Sequence, residues 1–516
     1  MLTVDMVRAG ARRHGNRPAV RVGDRALSFT EVDRTANQLA HVLAGLGVTP
    51  GSRLGLLEGN ELMAVPMDFA CLKAGVVRVP LNARLSLAEH TAMIADARVA
   101  TLVYSPALAD RAEELAAQTD HLALLCLGAG GRGHLDLLAA ATEASSDDPA
   151  HPASAEDPVL ALYTSGTTGT LKAAVHTQGS YAAIVRNILT NLVSPGREDA
   201  MVHAAPLIHA SGTFVLPFWL RGGCSVVLPG FAPEEYLDAL RRHHVTHANL
   251  VPTMLGMLLA AGATAEDRAS LTQVVYGASP MPRPVIEAAM DLWGPVFTQY
   301  YGQTEAPLAL TVLSAADHVG PDAPLGACGW PSADVELVAV DADGHPVGVD
   351  EPGELVVRCP SAMAGYLGAP ELSATTLLTD GWVRTRDVAR IDERGLVHLV
   401  DRTSDMIITG GYNVYPREVE DALLTHPGVA SAAVVGAPDP VWVESIVAYV
   451  VTSPGGRPDP EELTAHVRTR LAGYKVPKRI EYVDALPMSG VGKVLRRALR
   501  DPLWAGADQP RPQDRP

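Results

Sequence analysis

Several features are missing from these 516 residues, and each absence excludes a class of protein. Basic residues are in deficit: 41 Lys and Arg stand against 58 Asp and Glu, a formal net charge of −17. A chain so acidic has no broad surface to neutralise phosphates, which argues against a general nucleic-acid or anionic-membrane binder. The five cysteines (Cys71, Cys126, Cys224, Cys328, Cys359) are odd in number and scattered, with no CxxC. That excludes a disulfide framework and a cysteine zinc site, and it implies a reducing, cytoplasmic setting. No run approaches the ~20 apolar residues of a membrane span, and the opening MLTVDMVRAGARRHGNRPAV lacks the apolar core of a signal peptide. No internal repeat is evident. His243, His244 and His247 have no companion Cys or carboxylate at metal-site spacing, which leaves them structural.

What remains is 47% hydrophobic and 19% charged, the balance of a globular chain long enough for two to four domains. Over the first four hundred residues, short apolar runs at 74–80, 100–104, 158–163, 223–228, 272–277 and 295–301 alternate with helical patterns at 30–46, 234–243 and 282–293. Such alternation predicts an α/β fold with parallel or mixed sheets covered by helices. From 333, VELVAVDADGHPVGVDEPGELVVRC reads as β-hairpins turning at DADG and DEPG. Near 402 the texture changes again. Helices at 416–425 and 460–472 and strands at 430–436 and 446–452 predict a small α+β domain. Asp459 should cap its last helix, with Glu462 closing a capping box. The expected division is a large domain over 1–402 with a β-rich subdomain, a small mobile domain over 405–502, and a disordered tail at 503–516.

One stretch raises a chemical question: YTSGTTGTLKAAVHT at 163–177. Glycines admit an anion to the backbone, hydroxyls donate to its oxygens and a lysine adds charge, so a phosphate chain suits it. It is not a Walker A loop, because Thr170 and Leu171 separate Gly169 from Lys172 and Ala173 follows. Taken alone, it leaves a polar surface loop equally open. Four further stretches need the same explanation: PLIHASG (206–212), YGASPMP with YYGQTEAP (276–282, 300–307), GWVRTRDVARIDERGLVHLVDRTSDMIITGGYNVYPREVE (381–420) and PMSGVGKVLRR (487–497). In this order the five resemble the adenylate-forming superfamily of acyl-CoA synthetases, peptide-synthetase adenylation domains and beetle luciferases. The wording is most like bacterial acyl- or aryl-CoA ligases, and the resemblance covers almost the whole chain.

The resemblance implies two half-reactions at one site: a carboxylic acid and ATP give an acyl-adenylate and pyrophosphate, then CoA displaces AMP. It implies that Thr164, Ser165, Gly166, Thr167, Thr168, Gly169 and Lys172 hold the phosphates. Gly277, Ala278, Ser279, Tyr301, Gly302 and Gln303 would lie along the adenine and acyl group. Thr304 would donate to phosphate, and Glu305 would be the Mg2+ ligand. Asp387 would bind the ribose, with Arg402 near ribose or phosphate. His209 would gate the acid, Gly411 and Tyr412 would line a pantetheine channel, and Lys493 would swing in for the first half-reaction about a hinge at Ser404. The chain departs from the pattern at Leu171, where proline is usual, at Arg386, where glycine is usual, and at Ser404, where Asp or Lys is common. Nine Lys and Arg between 465 and 500 could steer ATP or CoA phosphates, or simply form a solvated face. Three functions stay open: a carboxylate:CoA ligase; an enzyme passing its adenylate to a carrier protein in trans or another nucleophile, even with nitrite as the acid; and a nucleotide-binding pseudo-enzyme. A homodimer is open too. No nucleic-acid partner is expected.

Overall fold

The computed structural model describes residues 1–505 apart from Gly131, 166–170, 403–404, 410–411, 455 and 490–492. Gly166, Thr167, Thr168, Gly169, Ser404, Gly411 and the 506–516 tail therefore lie outside the described residues. The chain divides into two compact units. The first comprises Met1–Pro280, Val285–Glu336 and Val357–Val383; the second Met281–Pro284, Leu337–Val356 and Arg384 onward. The β-rich segment near 340–356, grouped by its position in the chain with the first 402 residues, thus belongs by packing to the second unit.

The first unit is built on two large sheets. In one, the parallel strands Phe297–Gln303, Gln273–Gly277, His247–Leu250, Ala200–His203, Cys224–Val227 and Pro18–Val22 lie side by side, flanked by antiparallel edges. In the other, Val77–Pro80, Arg53–Leu57, Thr101–Tyr104 and Ala123–Cys126 run parallel. Its far edge carries Pro158–Ser165, then Leu171–Thr177 antiparallel to it, then Gly365–Tyr366. The helix expected at 30–46 spans Phe29–Gly45, capped by Ser28, whose Oγ accepts from Glu31 N while its own N–H donates to the Glu31 carboxylate. That helix buries Val32, Ala36, Leu39 and Leu43 at three- and four-residue spacing, in one core with Phe69 and Trp219. Among the described residues no helix is long and apolar enough to cross a membrane.

The second unit holds a four-stranded sheet, with Trp382–Ile391 antiparallel to Val397–Arg402. It also holds a five-stranded sheet in which Val429–Asp439 pairs with Val443–Thr452. Helices Pro416–Leu424 and Pro460–Arg468 cover the latter through Val419, Leu423, Leu463 and Val467. Two expectations fail here. The last of these helices stops at Arg468 rather than 472. Asp459 caps it through Glu461 N, but Glu462 closes no capping box: its carboxylate turns instead to His426 Nε2, 3.2 Å away. Among the described residues, five of the nine Lys and Arg between 465 and 500 pair with carboxylates: Lys475 with Glu418, Arg479 with Glu481, Arg496 with Glu420, and Arg497 and Arg500 with Asp501.

Candidate active site

Parallel α/β sheets place ligands beyond the carboxyl ends of their strands. In the first unit the residues singled out in the sequence gather at such ends. Strand Phe297–Gln303 turns through Thr304 and Glu305 and returns antiparallel as Ala306–Leu313, with Gln303 opposite Ala306. Glu305 is therefore at a hairpin tip, not in the first turn of a helix where a lone acid most often serves. The tip is tight because Gly302 sits where a Cβ would come within 2.7 Å of the Leu308 backbone. His176 Nε2 donates to Thr304 O over 2.8 Å and pins the turn. Burial pushes that histidine down to about 4, against the carbonyl and Glu305, so it is a neutral donor at pH 7.

Lys172 and His176, four residues apart, lie on one face of strand Leu171–Thr177. Lys172 Nζ reaches Glu305 Oε1 at 2.9 Å. Tyr366 hydroxyl joins both, 2.5 Å from Nζ and 2.6 Å from Oε1. Burial raises the Glu305 carboxyl, but the Lys172 charge and the two hydrogen bonds outweigh it and hold the group below the usual range, ionised. Thr164 lies opposite Lys172 in the strand register. Its Oγ1, and Nε2 of Gln303, are buried polar atoms without a hydrogen-bond partner. Ser165 ends the neighbouring strand opposite Leu171. Gly277 pairs with Tyr300 at the end of strand Gln273–Gly277, followed by Ala278 at φ 68° and a half-buried Ser279. Tyr301 is buried.

His209 lies in the loop after strand Ala200–His203. Asn82, beyond the carboxyl end of Val77–Pro80, places its amide 3.4 Å from His209 Nε2. Asn60 holds the same loop by accepting from Leu207 N at 2.9 Å and donating to Ala205 O and Leu228 O at 3.0 Å. Gly212 is the one residue type that fits where the loop closes, because a Cβ there would collide with Leu207 O. Phe218 is wholly buried against His247, and Phe214 against Tyr300. Sequence reasoning missed Asn60, Asn82, His176 and Tyr366. Only His176 carried a local signal, its spacing from Lys172.

The remaining residues belong to the second unit. Asp387 is buried and lies opposite Arg402 in the antiparallel pair. Arg386 adopts the left-handed conformation (φ 61°) that a glycine would take, and its N–H donates to Glu354 at 3.2 Å. Tyr412 is exposed and stacked on Tyr474, with ring centroids 4.6 Å apart. Lys493 is exposed next to a bridge between Met488 and Val494. Its N–H donates to Ser489 Oγ, and its carbonyl accepts from Ser489 N.

Comparison with known proteins accounts for both units. Residues 7–367 match the model of the AMP-binding enzyme family, and 418–493 that of the AMP-binding enzyme C-terminal domain. A feruloyl-CoA synthase of Amycolatopsis sp. is 40% identical over 95% of this chain and 96% of its own. The medium/long-chain-fatty-acid–CoA ligase FadD8 of Mycobacterium tuberculosis is 36% identical over 96% and 89%. The structure of the amide bond synthetase McbA from Marinactinospora thermotolerans superposes with a TM-score of 0.88 at 33% identity, over 97% of this chain and 99% of that one. The o-succinylbenzoate CoA synthetase of Bacillus subtilis, in complex with its acyl-adenylate intermediate, gives 0.85 at 28% identity over 97% and 98%. With both family models matched along its length, this chain belongs to the AMP-binding enzymes.

Proposed function

We propose that the chain is an ATP-dependent carboxylate:CoA ligase, cytoplasmic, working through an acyl-adenylate. A carboxylate oxygen attacks the α-phosphorus of ATP and pyrophosphate leaves. The CoA thiol, losing its proton, then attacks the acyl carbon and AMP leaves. The observation that carries this reading is the buried Lys172–Glu305 pair, set between the hydroxyl-rich strand end and the YYGQTE hairpin. The first step brings an anion to an anion, so catalysis rests on positioning and charge neutralisation. In this reading Lys172 and the hydroxyls of Thr164, Ser165, Thr167 and Thr168 hold the phosphates, with Gly166 and Gly169 admitting them. Thr304 donates to the same group. Gly277, Ala278, Ser279, Tyr301, Gly302 and Gln303 bound the adenosine, Asp387 takes the ribose hydroxyls, and Arg402 lies beside them. Glu305, an ionised carboxylate, offers the kind of oxygen donor that a hard cation takes. Bound there, Mg2+ supplies charge neutralisation for the triphosphate. His209, braced by Asn82, positions the acid; Lys493 serves the first step; Gly411 and Tyr412 serve the second.

A second reading has an observation of its own. The likeness to an amide bond synthetase, and 34% identity to a fatty acid–[acyl-carrier-protein] ligase of Streptomyces coeruleorubidus, point to acceptors other than CoA. One experiment separates the readings: AMP release across aryl, medium-chain and unusual acids, nitrite included, with CoA, with amines, with a holo carrier protein, and with none. CoA-dependent thioester from at least one acid is expected. Turnover only with an amine or a carrier thiol would replace the CoA reading. Nucleotide binding without AMP or pyrophosphate-exchange activity on any acid would make the chain a pseudo-enzyme.

A further inference from the structure

Lys172 and Glu305 neutralise each other, with side chains 15% and 11% exposed. Both hydrogen-bond donors meet on one oxygen, Oε1: Lys172 directly, Tyr366 beside it. The Tyr366 oxygen accepts from Nζ while its proton goes to the carboxylate, and Nζ lies 4.4 Å from the centre of its ring. Tyr366 cannot drift from this place. Its strand pairs Tyr366 with Ala174 and Gly365 with Val175; its N–H donates to Ser373 Oγ at 2.8 Å; and three residues earlier Met363 N donates to Glu305 O at 2.8 Å. The tyrosine is thus fixed by backbone to both the strand that carries the lysine and the turn that carries the glutamate.

Resting on the ligase reading, we infer that Tyr366 is a positioning residue for the adenylation step, and that the Lys172–Glu305 pair makes metal and nucleotide binding mutually dependent. Removing one partner of a buried ion pair strands the other as an uncompensated charge. A divalent cation alone would take Glu305 and strand the ammonium. A metal-free triphosphate would take Lys172 and strand the carboxylate. A metal–triphosphate brings both replacements at once: cation to Glu305, anion to Lys172. Through the exchange Tyr366, a neutral donor, keeps its bond to Glu305 and its ring under the lysine's stem, so that only the two charged partners change.

The test uses Mn2+, followed as free ion by electron paramagnetic resonance, and α,β-methylene-ATP, which cannot react. Without nucleotide, Lys172→Ala should bind Mn2+ about tenfold more tightly than wild type, because the competing cation is gone. Adding Glu305→Gln to that variant should abolish the gain. With the analogue saturating, Tyr366→Phe should weaken Mn2+ about tenfold, because the carboxylate is no longer held in place for the cation before it binds. Its affinity for the metal-free analogue should stay near wild type. A merely structural tyrosine would weaken Mn2+ and the metal-free analogue alike, and that outcome refutes its role. If the analogue binds wild type but Lys172→Ala gains no Mn2+ affinity, the inference fails and the ligase reading stands. A wild-type protein that binds no analogue refutes the ligase reading and this inference with it.

Discussion

Arg386 holds a backbone conformation that L side chains resist, at φ 61° and immediately before the buried Asp387. The turn expected of a glycine is therefore kept without one. Its N–H is held by Glu354, whose carboxylate also pairs with Arg384. The left-handed region costs a residue with a Cβ about 1–2 kcal/mol, and glycine gives back part of that in unfolded-chain entropy. Comparing Arg386→Gly with Arg386→Ala removes the side chain from both and leaves the Cβ as the difference. The glycine variant should be the more stable by about 0.5–1 kcal/mol in urea unfolding. An alanine variant of equal or greater stability would show that position 386 carries no strain.

At the scale of the element, periodicity and turn chemistry made much legible. The buried runs at 100–104, 223–228 and 272–277 are strands within a residue or so of each end, because a continuous apolar run between breakers leaves few alternatives. The return strand Ala306–Leu313 was not legible: Pro307 near the start of its apolar run argued against a strand, and pairing with Phe297–Gln303 makes it one. Lys172 and Glu305 were readable from their motifs, but Tyr366 was not, since it meets Lys172 from 194 residues away through an edge-strand register. The Glu462 capping box failed for a like reason, a tertiary partner in His426 outbidding a local one.

The same scale holds a pH effect. Asp401, next to last in strand Val397–Arg402, accepts from Arg417 N at 2.9 Å, at the start of helix Pro416–Leu424. Burial pushes its carboxyl up to about 7; Arg496 and the Arg417 N–H oppose this, while Asp405 and Glu420 add to it. The unfolded value is about 3.9. The folded state thus keeps a proton that the unfolded chain gives up from about pH 4, and the stability this group contributes is full below that and lost as pH rises through 7. Asp401→Asn keeps an acceptor for Arg417 N and cannot ionise. Its advantage over wild type should be near zero below about pH 3, grow from about pH 4 by up to about 1.4 kcal/mol per pH unit, and level off above about pH 7. A difference that does not change with pH would refute the assignment.

At the scale of the whole molecule, the candidate residues divide between two compact units: Lys172, Glu305 and His209 in the first, Asp387, Tyr412 and Lys493 in the second. A reaction in two halves can draw on such a division by asking different things of the second unit in each half. The first half joins a carboxylate to a triphosphate and needs another cation beside them. The second sets a thiol on the carbonyl of a mixed anhydride whose pyrophosphate has already gone, and needs that cation far less. Lys493 is exposed on the second unit, its N–H bonded to Ser489 Oγ, its carbonyl to Ser489 N, and its neighbour Val494 bridged to Met488. Lys493→Ala should therefore slow acid-dependent pyrophosphate exchange by about one hundred- to one thousand-fold, the scale of one preorganised electrostatic contact. Thioester formation from a supplied acyl-adenylate and CoA should stay within several-fold of wild type, as the thiol step draws on groups this substitution leaves in place. Single-turnover assays of the two halves, run on the same folded preparation, decide it. Equal loss in both would mean that Lys493 holds the adenylate itself rather than serving its formation, and an unchanged exchange rate would remove it from the reaction.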